Sequence, residues 1–157
     1  MRLSSKNGMN RGGVVPQQLV IEENALEARR AFGEADANKL EQKPQPETLT
    51  DFIAHFSPFE TLQRFSRVEA KIRCSISVTI ITRAERQQLS WEEFYTKYPG
   101  SCGFICLSKI GLNSQKSEAP IAADWIWDPE SGGVSLALMR KLGNEWKIVA
   151  ERTLGVY

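Results

Sequence analysis

No other stretch limits the fold as tightly as Ser90 to Gly111. It reads as a short aromatic helix, a hard stop and a buried strand. Ser90 and Glu93 have capping-box spacing, in which a hydroxyl and a carboxylate each satisfy a backbone donor at a helix start. Trp91, Phe94, Tyr95 and Tyr98 then recur at intervals that place four rings on one helix face. Pro99-Gly100 cannot continue a helix and forces a turn. Phe104 to Ile110 is almost entirely apolar, as in a strand covered on both faces.

The flanking chain supplies the partners. Residues 1–20 hold several glycines and Pro16 with little periodicity and read as a flexible arm, leaving residues 21–157 as one domain. Glu22 to Lys43 is rich in helix formers, although its apolar face is thin and Gly33 weakens it. Pro44 and Pro46 break that helix. Thr48 and Asp51 have capping-box spacing, and Leu49, Phe52, Ile53 and Phe56 form an apolar stripe. Ser57, Pro58 and Glu60 start a further helix with Leu62, Phe65, Val68 and Ile72 inward.

Ser75 to Ile81 changes period, with Ile76, Val78 and Ile80 alternating as in a half-buried strand. Thr82 and Glu85 cap a helical segment that reaches Leu89. Three strands follow residue 111. In Ala119–Asp128, Ile121, Ala123, Trp125 and Trp127 share one face, which is taken as the core face. Residues 129–133 read as a loop, and Val134, Leu136 and Leu138 alternate into the next strand. Gly143-Asn144 suits a tight hairpin. In the last strand Trp146, Ile148 and Ala150 point to the core, opposite Glu145, Lys147 and Glu151. Short connections make sequential strands antiparallel neighbours. The expected fold is α+β, with N-terminal helices packed on an antiparallel meander of four to five strands.

Composition narrows the function classes. The 157 residues carry a formal net charge of +1, with 41% hydrophobic and 25% charged side chains. Such a chain can bury a core without disulfides or metal. The near balance of charge makes a nucleic-acid partner unlikely by composition, since phosphate binding draws on uncompensated Lys and Arg. No apolar run reaches the length of a membrane span. Met1 to Gln18 lacks the apolar core of an export signal, so the chain as written reads as cytoplasmic, or as periplasmic or secreted if residues are missing at its start. Cys102 and Cys106, on one extended segment, would sit about 13 Å apart, too far for a disulfide. Cys74, Cys102 and Cys106 read as free buried thiols, with an exposed, reactive Cys102 beside Gly103 as the alternative.

Several residues resemble a set of small uncharacterised bacterial proteins. They are Trp91-Glu92-Glu93-Phe94-Tyr95, Tyr98-Pro99-Gly100-Ser101 with Gly103, Leu107-Ser108 with Ile110-Gly111 and Asn113, and the closing Gly143 to Ile148 strand with Trp146. The resemblance covers about residues 76–153 and brings no activity with it. The element order and the final strand are also loosely similar to NTF2-like domains, which curve a sheet around a pocket. That similarity implies a fold only.

The candidate sites are few. His55 is the only histidine, and Asp51 lies one helical turn before it, yet zinc chemistry normally needs three protein ligands. No metal, cofactor or catalytic residue is assigned. Asp124 lies beside Trp125 and Trp127 in sequence, a combination seen in carbohydrate clefts, but alternation puts the acid on the opposite face from the rings. Tyr95 and Tyr98 offer hydroxyls on an aromatic helix. These five residues make a candidate ligand site. Arg64, Arg67 and Lys71 share a helix stripe and make a candidate anion-binding surface. Ser101 lacks a nucleophile-elbow frame, and Ser108 and Lys109 point apart, so neither is a nucleophile. The reading is a non-enzymatic binding or structural module, with a small-ligand or hydrolytic pocket on a curved sheet as the alternative. A protein or a small molecule are the partners left open.

Overall fold

The structure is a computed structural model that describes residues 16–22, 33–54 and 76–157. In chain order its elements are β1 (Gln18–Glu22), α1 (Glu34–Ala37), α2 (Pro46–Ala54), β2 (Ser77–Ile81), α3 (Arg83–Gln88), α4 (Trp91–Lys97), β3 (Ser101–Leu107), β4 (Glu118–Asp128), β5 (Ser131–Leu142) and β6 (Glu145–Val156). One six-stranded sheet takes the order β2-β1-β3-β4-β5-β6. The strands from β3 to β6 form the expected antiparallel meander. β1 lies parallel to both β2 and β3. The sheet is therefore mixed and six-stranded, which corrects the purely antiparallel meander of four or five strands.

The chain from Gln18 to Val20 is not an arm. Leu19, Val20 and Ile21 sit buried between two strands from distant parts of the sequence. Parallel pairing leaves no turn signature, because its partners arrive through long crossovers. Glu22 ends β1 and does not begin a helix. The helix expected to run to Lys43 is reduced, among the described residues, to the single turn of α1. The amphipathic helix read after Ser57, with Arg64, Arg67 and Lys71, lies outside the described residues, as do His55 and Cys74.

α2 starts on Pro46, whose missing N–H suits a first helical position. Thr48 is consequently inside the helix rather than its cap. Asp51 turns away and accepts a 2.8 Å hydrogen bond from the Leu112 N–H. Caps at Thr82 and Ser90 form as read: Thr82 Oγ1 accepts from Glu85 N–H, and Ser90 and Glu93 complete a reciprocal box. Leu89 is extended and separates α3 from α4.

Register defines two sheet faces, since paired residues point the same way. One face carries Val20, Phe104, Ala122, Leu136, Leu138 and Ala150, and α2, α3 and α4 lie over it. α2 places Phe52 on the β4–β6 half of that face, beside Leu136 and Leu138. α4 places Phe94 and Tyr98 on Val20 and Phe104. The opposite face carries Leu19, Ile21 and Ile105, with Trp125 packed beside them.

Two predicted faces come out reversed. In β4 the deeply buried side is Pro120, Ala122 and Asp124, while Trp125 and Trp127 are only half-buried. In β6, Ala150 pairs with Leu138 but Ile148 pairs with Met139. Val149 is the extra residue of a bulge. It turns Trp146 and Ile148 to the side opposite Ala150, and Trp146 is 40% exposed. Gly132 and Gly133, read as loop, belong to β5. No helix among the described residues is long and apolar enough to cross a membrane.

Candidate functional site

The five residues singled out as a ligand site do not converge. The Tyr95 hydroxyl donates 2.7 Å to the Trp127 carbonyl, which fastens α4 to the end of β4. The Tyr98 hydroxyl donates 2.7 Å to Glu85, whose same oxygen accepts from Lys97 Nζ at 2.7 Å. Both tyrosines pack in the α4 cluster with Phe94 and Phe104. The sheet lies between them and Trp125. The aromatic helix faces Phe104 and Ile126, not the tryptophans of β4.

Gly100, Ser101, Ser108 and Asn113 are also committed to the fold. Gly100, at φ +76°, presents its carbonyl to the Gln17 N–H, and Ser101 Oγ donates to the Tyr98 carbonyl. Ser108 is fully buried, and its Oγ accepts from the Ala122 N–H at 2.9 Å. Asn113 Oδ1 accepts from the N–H groups of Ser117 and Glu118, closing the loop before β4. Buried Glu118 in turn accepts from Arg140 Nε and the Gln45 N–H. These polar groups satisfy backbone that would otherwise be orphaned.

What the fold does bring together is a row of buried side chains on the helix-covered face, two carboxylates with a thiol between them. Glu22 of β1 pairs with Cys106 of β3, and Cys106 pairs with Asp124 of β4. Their exposures are 4%, 7% and 4%. On one side of the row lie Val20, Phe104 and Ile126, under α4. On the other lie Ala122 and Leu136, under α2. The two carboxylates thus lie on either side of Cys106, which itself belongs to the cluster under α4.

Three further side chains lie near this row, two from α3 and one from the residue after β6. Arg83 Nε donates to Glu22 Oε1 at 3.1 Å. The Tyr157 hydroxyl donates to Asp124 Oδ1 at 2.7 Å, with its ring laid over Gly132, where a Cβ would strike it. The Arg86 guanidinium carbon sits 4.3 Å from the Trp91 ring centroid and 4.8 Å from that of Phe104. Burial pushes the Arg86 pKa down, while Glu22, Cys106 and Tyr95 pull it back up. The guanidinium therefore shares one electrostatic neighbourhood with the row.

The arrangement is suited to hydrogen bonding and charge recognition. Among the described residues no group of three or more His, Cys, Asp or Glu side chains could hold a metal ion. Cys106 is a free buried thiol and Cys102 a free exposed one. Of the row, only Asp124 was predicted as a binding residue. Glu22 closes the apolar run Leu19-Val20-Ile21, and nothing local distinguishes it from a helix-starting glutamate. Arg83 and Arg86 have i,i+3 spacing on α3, a signal too common to select them. No protein-family model, curated protein or solved structure matches the chain.

Proposed function

We propose that the chain is a non-enzymatic binding module that takes a small polar molecule on the helix-covered face of its sheet. The observation that carries this reading is the Glu22–Cys106–Asp124 row. Burying carboxylates in an apolar interface is unfavourable unless charges and hydrogen bonds compensate them. Elsewhere among the described residues Ser101, Ser108, Asn113 and Asp51 satisfy neighbouring backbone, buried Glu118 pairs with Arg140, and Thr48 Oγ1 is buried without a partner. The row lies where two packed helical groups meet, and a site between elements is a common place for a ligand.

A thermal-shift screen of polar metabolites tests the reading. At least one compound should raise the melting temperature saturably, without being turned over. Glu22→Gln and Asp124→Asn, both nearly isosteric, should abolish that shift. A shift of unchanged size in both variants would move the site elsewhere. Turnover that is lost in Cys106→Ser or Asp124→Asn would make the protein an enzyme.

A further inference from the structure

We infer that Arg86 is the receptor for an oxyanion, a carboxylate or phosphate group, on the molecule this face binds. The inference rests on the reading of that face as the ligand side and adds the chemical class of the ligand.

The other cations placed near a carboxylate are already committed. Arg83 pairs with Glu22, Lys97 with Glu85 and Arg140 with Glu118. Arg86 forms no ion pair among the described residues. Its Nη1 donates 3.1 Å to the Leu89 carbonyl, and that bond holds one end of the guanidinium. The neighbouring rings of Trp91 and Phe104 both lie against it, 4.3 and 4.8 Å from its central carbon. Nε is buried and has no hydrogen-bond partner. Nη2 has no recorded partner either. In a guanidinium, Nε–H and the neighbouring Nη2–H point the same way and form the fork that grips a carboxylate or phosphate through two parallel bonds. This fork is immobilised before any ligand arrives, so little freedom is lost on binding.

An unmatched buried donor is rare in native proteins and invites an explanation. Ring stacking compensates part of the cation's desolvation, since a guanidinium over an aromatic face is attracted by the ring quadrupole. It leaves the in-plane donor unspent. Glu22 acts on Arg86 through its charge but hydrogen-bonds Arg83 and not Arg86. Arg86 as a whole is half-buried, although its Nε atom itself is closed off from solvent.

The test titrates the full chain with sodium phosphate and, separately, sodium succinate, against sodium chloride at constant ionic strength. Tryptophan emission is the readout, and Trp91→Phe identifies the component that reports on the stacked ring. One or both oxyanions should change the Trp91 component saturably, and chloride should not. Arg86→Lys keeps the charge and loses the fork, so affinity should fall by about tenfold or more, whereas Lys147→Gln should leave it unchanged. If Arg86→Lys fails to fold, the Nε–H resonance of Arg86 in the unaltered protein decides: it should shift as phosphate or succinate saturates. A shift with phosphate alone assigns a phosphate group, and with succinate alone a carboxylate. A saturable effect that survives in Arg86→Lys, an unmoved Nε–H resonance, or no saturable effect of either anion overturns the inference. A neutral or cationic compound that stabilises the protein through Asp124 but not Arg86 would overturn it while leaving the binding-module reading intact.

Discussion

At Gly103 a side chain has nowhere to go. Its φ is +98°, and a Cβ there would lie 2.1 Å from the Ile126 carbonyl oxygen. The residue sits where β3 carries one more residue than β1, Gln18 pairing with Ser101 and Val20 with Phe104. Gly143 also has positive φ, +64°, but faces open space. Gly103→Ala should therefore destabilise by about 3 kcal/mol or more, from strain and backbone clash together. Gly143→Ala should lose only about 1 kcal/mol. Urea unfolding of the two variants separates strain from clash. The hairpin glycine was legible from Gly143-Asn144 alone, but the Gly103 requirement was not, since it arises from a strand that pairs across a long crossover. Tryptophans make the same point. Trp146→Ala should cost less than about 1 kcal/mol, given its exposure, whereas Phe94→Ala, fully buried, should cost about 3–5 kcal/mol. Alternation alone assigned Trp146 to the core; the bulge at Val149 is what turned it out.

The helices α3 and α4 were the most legible elements, because caps and ring spacing are local signals. Their joint is electrostatic. Glu85 is held below the usual carboxylate range, first by its bond from Lys97 and then by that from Tyr98. Glu93 is likewise lowered by the Ser90 N–H and hydroxyl. A depressed folded pKa gives stability that is present above the unfolded value and lost as pH falls through the folded one. Tyr98 is raised, chiefly by burial and then by its bond to Glu85, and Lys97 is raised by Glu85. Those contributions are complete below the unfolded pKa values and are lost as pH rises through the raised ones. The urea midpoint, followed from about pH 2 to about pH 11, should fall at both extremes. Glu85→Gln should flatten the acid limb and reduce the Tyr98 part of the alkaline limb. An acid limb identical to that of the unaltered protein would mean that other carboxylates set it. Ser90→Ala should separately cost about 1 kcal/mol through the lost cap. At the other end of the sheet, β6 is an edge strand among the described residues. Irregularities on either side of the Ala150–Thr153 segment, with Lys147, Glu151 and Arg152 along it, suit an edge that resists pairing with another sheet.

The architecture as a whole turns on β1, the element least visible in the sequence. The antiparallel half, β3 to β6, could be read from alternation and short turns. The parallel half could not: Leu19-Val20-Ile21 is too short to signal a strand against a glycine-rich neighbourhood, and its partners lie far along the chain. The same gap hid the polar row, because Glu22 joins Cys106 and Asp124 only once β1 is inserted beside β3. Without β1 neither β2 nor Glu22 has a place in the sheet, and Phe104 loses Val20 across the ladder. Val20 is fully buried, so Val20→Ala should cost about 2 kcal/mol, as expected for core rather than arm. A stronger consequence concerns cooperativity. If β1 is integral, the amides of Val20 and Ile21 should exchange only through global unfolding, at the same free energy as those of Leu136 and Leu138 in β5. Native-state hydrogen exchange measures this directly. Exchange of Val20 and Ile21 through a low-energy local opening, with β5 still protected, would make β1 and the Glu22 end of the row a separately unfolding unit. The polar row would then be assembled and dismantled without unfolding the meander.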